Sequence, residues 1–222
     1  MATKGAKAIL IGGTGATGKP LVKELINSPH FCEITSLVRT IDPNVTSDKL
    51  KQVVVDFEKL ENYKSEFEGK DVAFNVFGTS KKQAGSTERF KEIEYGYSAK
   101  FADLSKESGV RSMHLLTSGG SNPNSWMYYL KVKGEIEEKY KEENFNFLSI
   151  FRPGFLVRHS DRWSDSVIGF FLKGLKVNIL AKALRIEAEN EILNMSKNNQ
   201  IKAITGDAIV DIVKIFDTQT NN

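Results

Sequence analysis

Apolar residues in this chain gather into short continuous bursts, separated by stretches where they recur every three or four positions. The bursts fall at 8–11, 34–38, 53–55, 72–76, 113–116 and 147–151. A continuous run of this length suits a strand buried on both faces, and the spacing between most of the runs suits a helix. Six strands with crossover helices predict a doubly wound parallel sheet, whose ligand crevice opens at the carboxyl ends of the strands where their order reverses. The first crossover helix is expected over 19–27. Beyond Gly154 the rhythm stops. Residues 155–222 read as amphipathic helix, with Phe170, Phe171, Leu172 and Leu175 in one piece and Ile209, Ile212, Val213 and Phe216 in another. They are expected to form a small substrate-side cap on a single domain spanning 1–222. The stretch 167–186 is apolar enough to suggest a membrane, but Lys173, Lys176, Lys182 and Arg185 interrupt it, and charges at that density are expensive in a bilayer core. A helix packed over the crevice is expected instead.

Composition narrows the picture. The 222 residues are 40% hydrophobic, and 31 basic against 28 acidic side chains leave a formal charge of +3 with no block of one sign. That excludes a nucleic-acid stripe and a polybasic membrane anchor, and leaves room for a small anionic ligand. The first seven residues are too short for the apolar core of a signal peptide, so the cytoplasm is the expected compartment. Cys32 is the only cysteine, which rules out an internal disulfide, and beside a strand it reads as a small buried hydrophobe. His30, His114 and His159 are scattered without metal-ligand spacing.

Candidate chemistry begins where the first strand ends. Gly12, Gly13, Gly15 and Gly18 follow it and precede the first helix, fitting both Gly13-x-Gly15-x-x-Gly18 and the variant Gly12-x-x-Gly15-x-x-Gly18. Either spacing serves one purpose. Glycine allows a sharp strand-to-helix turn, lets backbone approach a pyrophosphate, and leaves N–H groups free at the positive end of a helix. Later in the chain, the fifth strand ends in Ser118 at the mouth of the same crevice, and Tyr129 and Lys133 lie on the helix that follows. Their four-residue spacing puts both side chains on one helical face, where an ammonium can stabilise a phenolate and adapt the phenol to proton transfer. Tyr128 is the poorer candidate because Val132 stands four residues after it. Asn122, Asn124 and Ser125 offer capping groups for the start of that helix.

On these residues the chain resembles the short-chain dehydrogenase/reductase superfamily, and within it the atypical branch of Tat-interacting oxidoreductase-like proteins with their fungal mitochondrial relatives. The segments that carry the likeness are IGGTGATGK, VVVDFEKL, FGTSKKQAG, LLTSGGSNPNSWMYYLKVKGEIE and FRPG. The resemblance implies a Rossmann-type fold in which Gly12, Gly15 and Gly18 surround a pyrophosphate and Thr14, Ala16 and Thr17 add backbone and hydroxyl contacts. It places Asp56 and Phe57 at the adenine, although Asp56 reads equally well as a helix cap. Gly78 and Thr79 would lie under a ribose, Lys133 would reach the nicotinamide ribose, and Arg152, Pro153 and Gly154 would border the nicotinamide. It also implies regulatory protein partners, and a nuclear or mitochondrial-surface location for some members.

Two positions refine the expectation. Arg39 ends the second strand about twenty residues past the glycines, where an acid would accept from an NAD ribose. A guanidinium there favours the 2′-phosphate of NADP(H), with NAD(H) second. Where the wider superfamily commonly holds an asparagine, this chain has Glu94, with Tyr95 and Tyr97 beside it. A glutamate can hold the same relay water, but its charge opposes ionisation of the phenol and predicts slow turnover. The expected activity is NADPH-dependent reduction of a small apolar carbonyl compound, with Ser118, Tyr129 and Lys133 as catalytic residues and Trp163, Phe170 and Phe171 shaping an apolar pocket. The alternative is an NADPH-binding sensor that acts through protein contacts with little turnover.

Overall fold

The computed structural model describes residues 5–157, 174–194 and 199–220. Seven strands form one parallel sheet in the order β3-β2-β1-β4-β5-β6-β9. They are β1 (Ala6–Ile11), β2 (Phe31–Val38), β3 (Leu50–Val54), β4 (Val72–Asn75), β5 (Ser112–Leu116), β6 (Phe147–Arg152) and β9 (Gln200–Thr205). A short separate pair, β7 (Leu156–Val157) and β8 (Leu175–Lys176), lies beyond the end of β6.

The central strands are buried on both sides, and alternate residues feed two cores. Ile9 and Ile11 of β1 join a core with Phe57, Phe67, Phe101, Val132 and Ile136. Ala8 and Leu10 face the other way, against Leu21, Leu25, Leu180 and Leu184. The first layer is built by a 3₁₀ segment (Phe57–Phe67), α4 (Tyr97–Glu107) and α5 (Tyr128–Glu142). The second is built by α1 (Gly18–Asn27), α6 (Val177–Asn194) and α7 (Gly206–Thr220). Two short helices, α2 (Lys81–Ala84) and α3 (Thr87–Lys91), and a π turn (Glu92–Gly96) lead from β4 into α4.

The strand order reverses between β1 and β4, so the crevice lies at their carboxyl ends. Glycine is required at that point. Gly12 has φ +85°, and a Cβ on it would sit 2.6 Å from the backbone nitrogen of Phe77 in the loop after β4. A Cβ on Gly18 would overlap the Gly12 carbonyl, so the turn closes only with glycine at both places.

Of the residues expected in the cap, those described at 177–194 and 199–220 join the sheet and its second face. Strand β9 pairs with β6 along its whole length and completes the sheet, while α6 packs against α1 on the sheet's second face. Leu180, Ala181 and Leu184, on the stretch expected over the crevice, are buried in that core. Trp163, Phe170, Phe171 and Leu172 lie outside the described residues. Among the described residues no helix is long and apolar enough to cross a membrane. Cys32 is also a correction. It is exposed at the start of β2, and its thiol lies 2.8 Å from the Gly5 carbonyl oxygen.

Candidate active site

The glycine loop forms one end of a cleft of about 670 Å³. Thr14, Gly15 and Ala16 are exposed along it, and Thr17 and Gly18 are buried as the chain enters α1. Gly15 donates its N–H to the Gly12 carbonyl at 2.9 Å, while the N–H groups of Ala16 and Thr17 have no backbone acceptor among the described residues. Free N–H groups at a helix N-terminus suit a phosphate. Thr17 holds the N-cap position but makes no side-chain cap bond.

Further along the cleft lie Arg39, Phe57, Gly78, Thr79, Tyr129 and Lys133, drawn from four regions of the chain. Arg39 is exposed at the end of β2 and makes no ion pair among the described residues. Phe57, Phe77 and Tyr97 form a three-ring cluster, with Phe57 5.8 Å from Phe77 and 5.5 Å from Tyr97 between ring centroids and the latter two 6.0 Å apart. Asp56 does not line the cleft. Its Oδ1 accepts from the Glu58 N–H at 3.0 Å and so caps the 3₁₀ segment, the structural one of its two readings.

Helix α5 carries the candidates Tyr129 and Lys133. It begins at Tyr128, with Met127 at the N-cap and no side-chain cap bond. The capping groups expected upstream do other work. Asn122 Oδ1 accepts from the Asn124 N–H at 2.8 Å, and Ser125 Oγ from the Met127 N–H at 3.2 Å, folding a tight loop against the helix. That loop fits only because residue 134 is glycine, since a Cβ there would overlap the Asn122 and Pro123 backbone. Tyr129 is 40% exposed and lines the cleft, whereas Tyr128 does not. The Tyr128 ring packs against Phe90, with the Lys81 ammonium 4.8 Å from its centroid.

A second cavity of about 650 Å³ adjoins the first. Thr117, Tyr129 and Leu156 belong to both. Ser118 opens onto the second cavity, which Met127, Leu130, Pro153, Gly154 and Phe155 also line. None of its described lining residues is charged.

Lys133 is buried and its Nζ lies 2.6 Å from Glu94 Oε2. Burial works against its charge, but the Glu94 carboxylate, helped by Tyr129 and Glu137, outweighs it and raises the ammonium above the ordinary lysine value. The other Glu94 oxygen accepts from the Thr79 N–H. A π turn supplies this geometry, because its wider winding brings Glu94 into the interior with no solvent exposure.

Arg152 does not border either cavity. Its guanidinium bonds Glu137 with Nε at 3.0 and 3.1 Å from the two carboxylate oxygens and with a second nitrogen as well. Glu137 is itself buried and also accepts from Thr117 Oγ1 at 2.6 Å. The cluster ties the ends of β5 and β6 to α5. Sequence reasoning missed Glu137, although it follows Lys133 by another four residues. It also missed the cleft wall formed by Ser80, Lys82 and Gln83, where Ser80 and Gln83 make a reciprocal capping box whose Ser-x-x-Gln pattern is visible in the sequence.

Residues 12–166 match the model of a family described as NAD(P)H-binding. Protein HTATIP2 from Rattus norvegicus is 39% identical over 151 residues, covering 67% of this chain and 62% of that protein. The mitochondrial protein FMP52 from Candida albicans is 33% identical over 223 residues, covering 93% of this chain and 96% of that one. Among solved structures, MoeE5 in complex with UDP-glucose and NAD superposes with a TM-score of 0.70 at 13% identity, over 90% of this chain and 75% of that one. The Lactococcus lactis oxidoreductase ylbE does so at 0.64 and 18%, over 88% and 89%. Those two likenesses establish the fold, and the sequence relatives establish the branch. The chain is an NAD(P)H-binding, HTATIP2-like member of the atypical short-chain dehydrogenase/reductases.

Proposed function

We propose that the protein is an NADPH-dependent reductase of a small apolar carbonyl compound. The observation that carries this reading is the position of Tyr129, on the wall shared by the glycine-lined cleft and the uncharged cavity that also holds Ser118. The residues present fit a dinucleotide: no Cβ intrudes at Gly12 or Gly18, and free N–H groups stand at the start of α1. Gly12 to Gly18 would hold the pyrophosphate, Phe57 the adenine, Gly78 and Thr79 a ribose, and Pro153 the nicotinamide side. Arg39 is the candidate for the 2′-phosphate. A bound reduced nicotinamide supplies the hydride. Ser118 orients the carbonyl oxygen, Tyr129 donates the proton to it, and Lys133 supports the phenol. The cytoplasm is the proposed compartment. The curated fungal relatives are named mitochondrial, which makes the mitochondrial surface the alternative.

Calorimetric titration with NADPH and NADH, followed by nucleotide consumption on a panel of aldehydes and ketones, tests the reading. NADPH is expected to bind more tightly than NADH, and Tyr129→Phe to abolish turnover while leaving nucleotide binding intact. Equal turnover in the Tyr129→Phe variant overturns the assigned chemistry. One observation favours the second reading, a nucleotide-dependent sensor of other proteins. Trp126 is 92% exposed beside Met127, which with Phe155 lines the second cavity and is itself exposed. Tight nucleotide binding without turnover on any carbonyl is the result expected of that sensor.

A further inference from the structure

Glu94 occupies an unusual place for a carboxylate. It has no solvent exposure, and both its oxygens are engaged by groups in the wall of the cleft, Oε2 by Lys133 Nζ at 2.6 Å and Oε1 by the Thr79 N–H. Three ion pairs pack around the catalytic face, while Arg39 and Lys82 line the same cleft with no ion pair among the described residues. From the π turn, Glu94 faces Lys133. From α5 itself, Glu137 is neutralised by Arg152 of β6. On the outer side, Lys91 is held by Glu135 at 2.8 Å. Tyr129 therefore stands one helical turn from an ammonium whose charge already has a partner at contact distance.

A lone buried cation at that distance would favour the phenolate strongly, whereas a cation closed onto a carboxylate presents a dipole whose field falls off faster. We infer that Glu94 is a positioning residue that holds Lys133 in a neutral couple and so raises the pH at which the Tyr129 hydroxyl gives up its proton, compared with a lone ammonium. In the reductive direction the phenol O–H breaks and its proton goes to the carbonyl oxygen as hydride from the reduced nicotinamide reaches the carbon. In the oxidative direction a phenolate takes the alcohol proton while hydride returns to the oxidised nicotinamide, so the couple sets the pH range of each direction and leaves the equilibrium between them untouched. The inference rests on the carbonyl-reductase reading for the reaction it serves, but its electrostatic core can be read without turnover.

The test is a tyrosinate absorbance titration of the full chain, taken as the difference between each protein and its Tyr129→Phe counterpart. Glu94→Gln keeps an acceptor for the Thr79 N–H and removes only the charge. Its ionisation midpoint is expected about one to two pH units below that of the unsubstituted chain, a shift of ten- to a hundredfold in the ionisation equilibrium. Lys133→Met leaves the carboxylate alone and is expected to move the midpoint upward, while the combined Glu94→Gln, Lys133→Met protein returns it to within about half a unit. Where turnover is measurable, the pH midpoint of alcohol oxidation is expected to fall in Glu94→Gln by the same amount, with the nucleotide KM changed less than kcat. A Glu94→Gln protein with an unmoved or raised midpoint overturns the inference, since a merely structural carboxylate would have no such signature. If Glu94→Gln does not fold, an unmoved midpoint in Lys133→Met overturns it equally. The expected shifts without turnover on any carbonyl would support charge control by Glu94 and sink the reductase reading. Turnover without the shifts would do the reverse.

Discussion

Lowering the pH from 7 to 5 is expected to cost this fold about 2 kcal/mol through one side chain, His114. It lies in the middle of β5 with no solvent exposure, between Ser112 Oγ at 3.1 Å and Ser149 Oγ at 2.6 Å, with the Phe74 ring stacked at 4.9 Å. Two hydroxyls satisfy a neutral imidazole, one accepting and one donating, but neither compensates a buried cation. Burial, with a smaller contribution from the Lys202 ammonium, pushes the imidazole from 6.5 down to about 3. The unfolded chain therefore binds the extra proton first, and stability present above pH 6.5 is lost as the pH falls toward 3. With those two values, proton linkage gives a loss of about 2 kcal/mol between pH 7 and 5, or roughly 1 M in urea midpoint for a slope of about 2 kcal/mol per molar. Urea unfolding at both pH values, in the unsubstituted chain and in His114→Gln, isolates the effect, because glutamine offers the serines a donor and an acceptor but does not titrate. The pH-dependent loss is expected to be about 2 kcal/mol smaller in His114→Gln. Equal losses in the two proteins would refute the assignment of this buried histidine as the acid-sensitive group.

Arg39→Ala is expected to weaken NADPH binding roughly tenfold, a modest figure because the guanidinium is exposed, and to change NADH binding less than twofold; calorimetry with both nucleotides reads the contrast. Gly18→Ala drives a methyl into the Gly12 carbonyl, so a stability loss of about 2–4 kcal/mol and the loss of nucleotide binding are expected in thermal melts with and without NADPH. Glu137→Gln leaves the Arg152 guanidinium facing an amide. Since the arginine side chain is 27% exposed, water offsets part of the loss, and the expected cost is about 2 kcal/mol, or about 4–8 °C in Tm.

Strands buried on both faces were legible in the sequence because they read as unbroken apolar runs, and that covered β1, β2, β4, β5 and β6. Strand β9 was not. As an edge strand it carries Gln200 and Lys202 and exposes Ile201 at 55%, so no run marks it, and its residues merged into an apparently helical tail. The glycine loop was legible as a pattern, but the reason for two overlapping spacings is visible only in three dimensions. A Cβ on Gly12 would strike the loop after β4, one on Gly13 would sit 2.4 Å from Ser36 Oγ, and one on Gly18 would overlap the Gly12 carbonyl, while a Cβ on Gly15 would approach nothing closer than 3.2 Å. Glu94 was located by counting and expected to act through water. Its direct contact with Lys133 depends on a π turn, whose winding of one extra residue has no periodic signature.

The face of α5 shows why the site and its support are hard to separate. Tyr129, Lys133 and Glu137 follow one another at four-residue intervals, so they form a single ladder along the helix. The top rung opens into both cavities, the middle is closed onto Glu94, and the lowest is locked to Arg152 and Thr117. Moving down the ladder, exposure falls from 40% at Tyr129 to 5% at Lys133 and 1% at Glu137. Each rung constrains the next, because the buried pair at Lys133 fixes the helix against the π turn and that at Glu137 fixes it against the ends of β5 and β6. Only one rotation of α5 then satisfies both buried charges, and that rotation aims Tyr129 at the wall between the cavities. The same two ion pairs that hold the helix thus decide where the Tyr129 hydroxyl stands, and a substitution at Glu137 should be felt at Tyr129 two helical turns away.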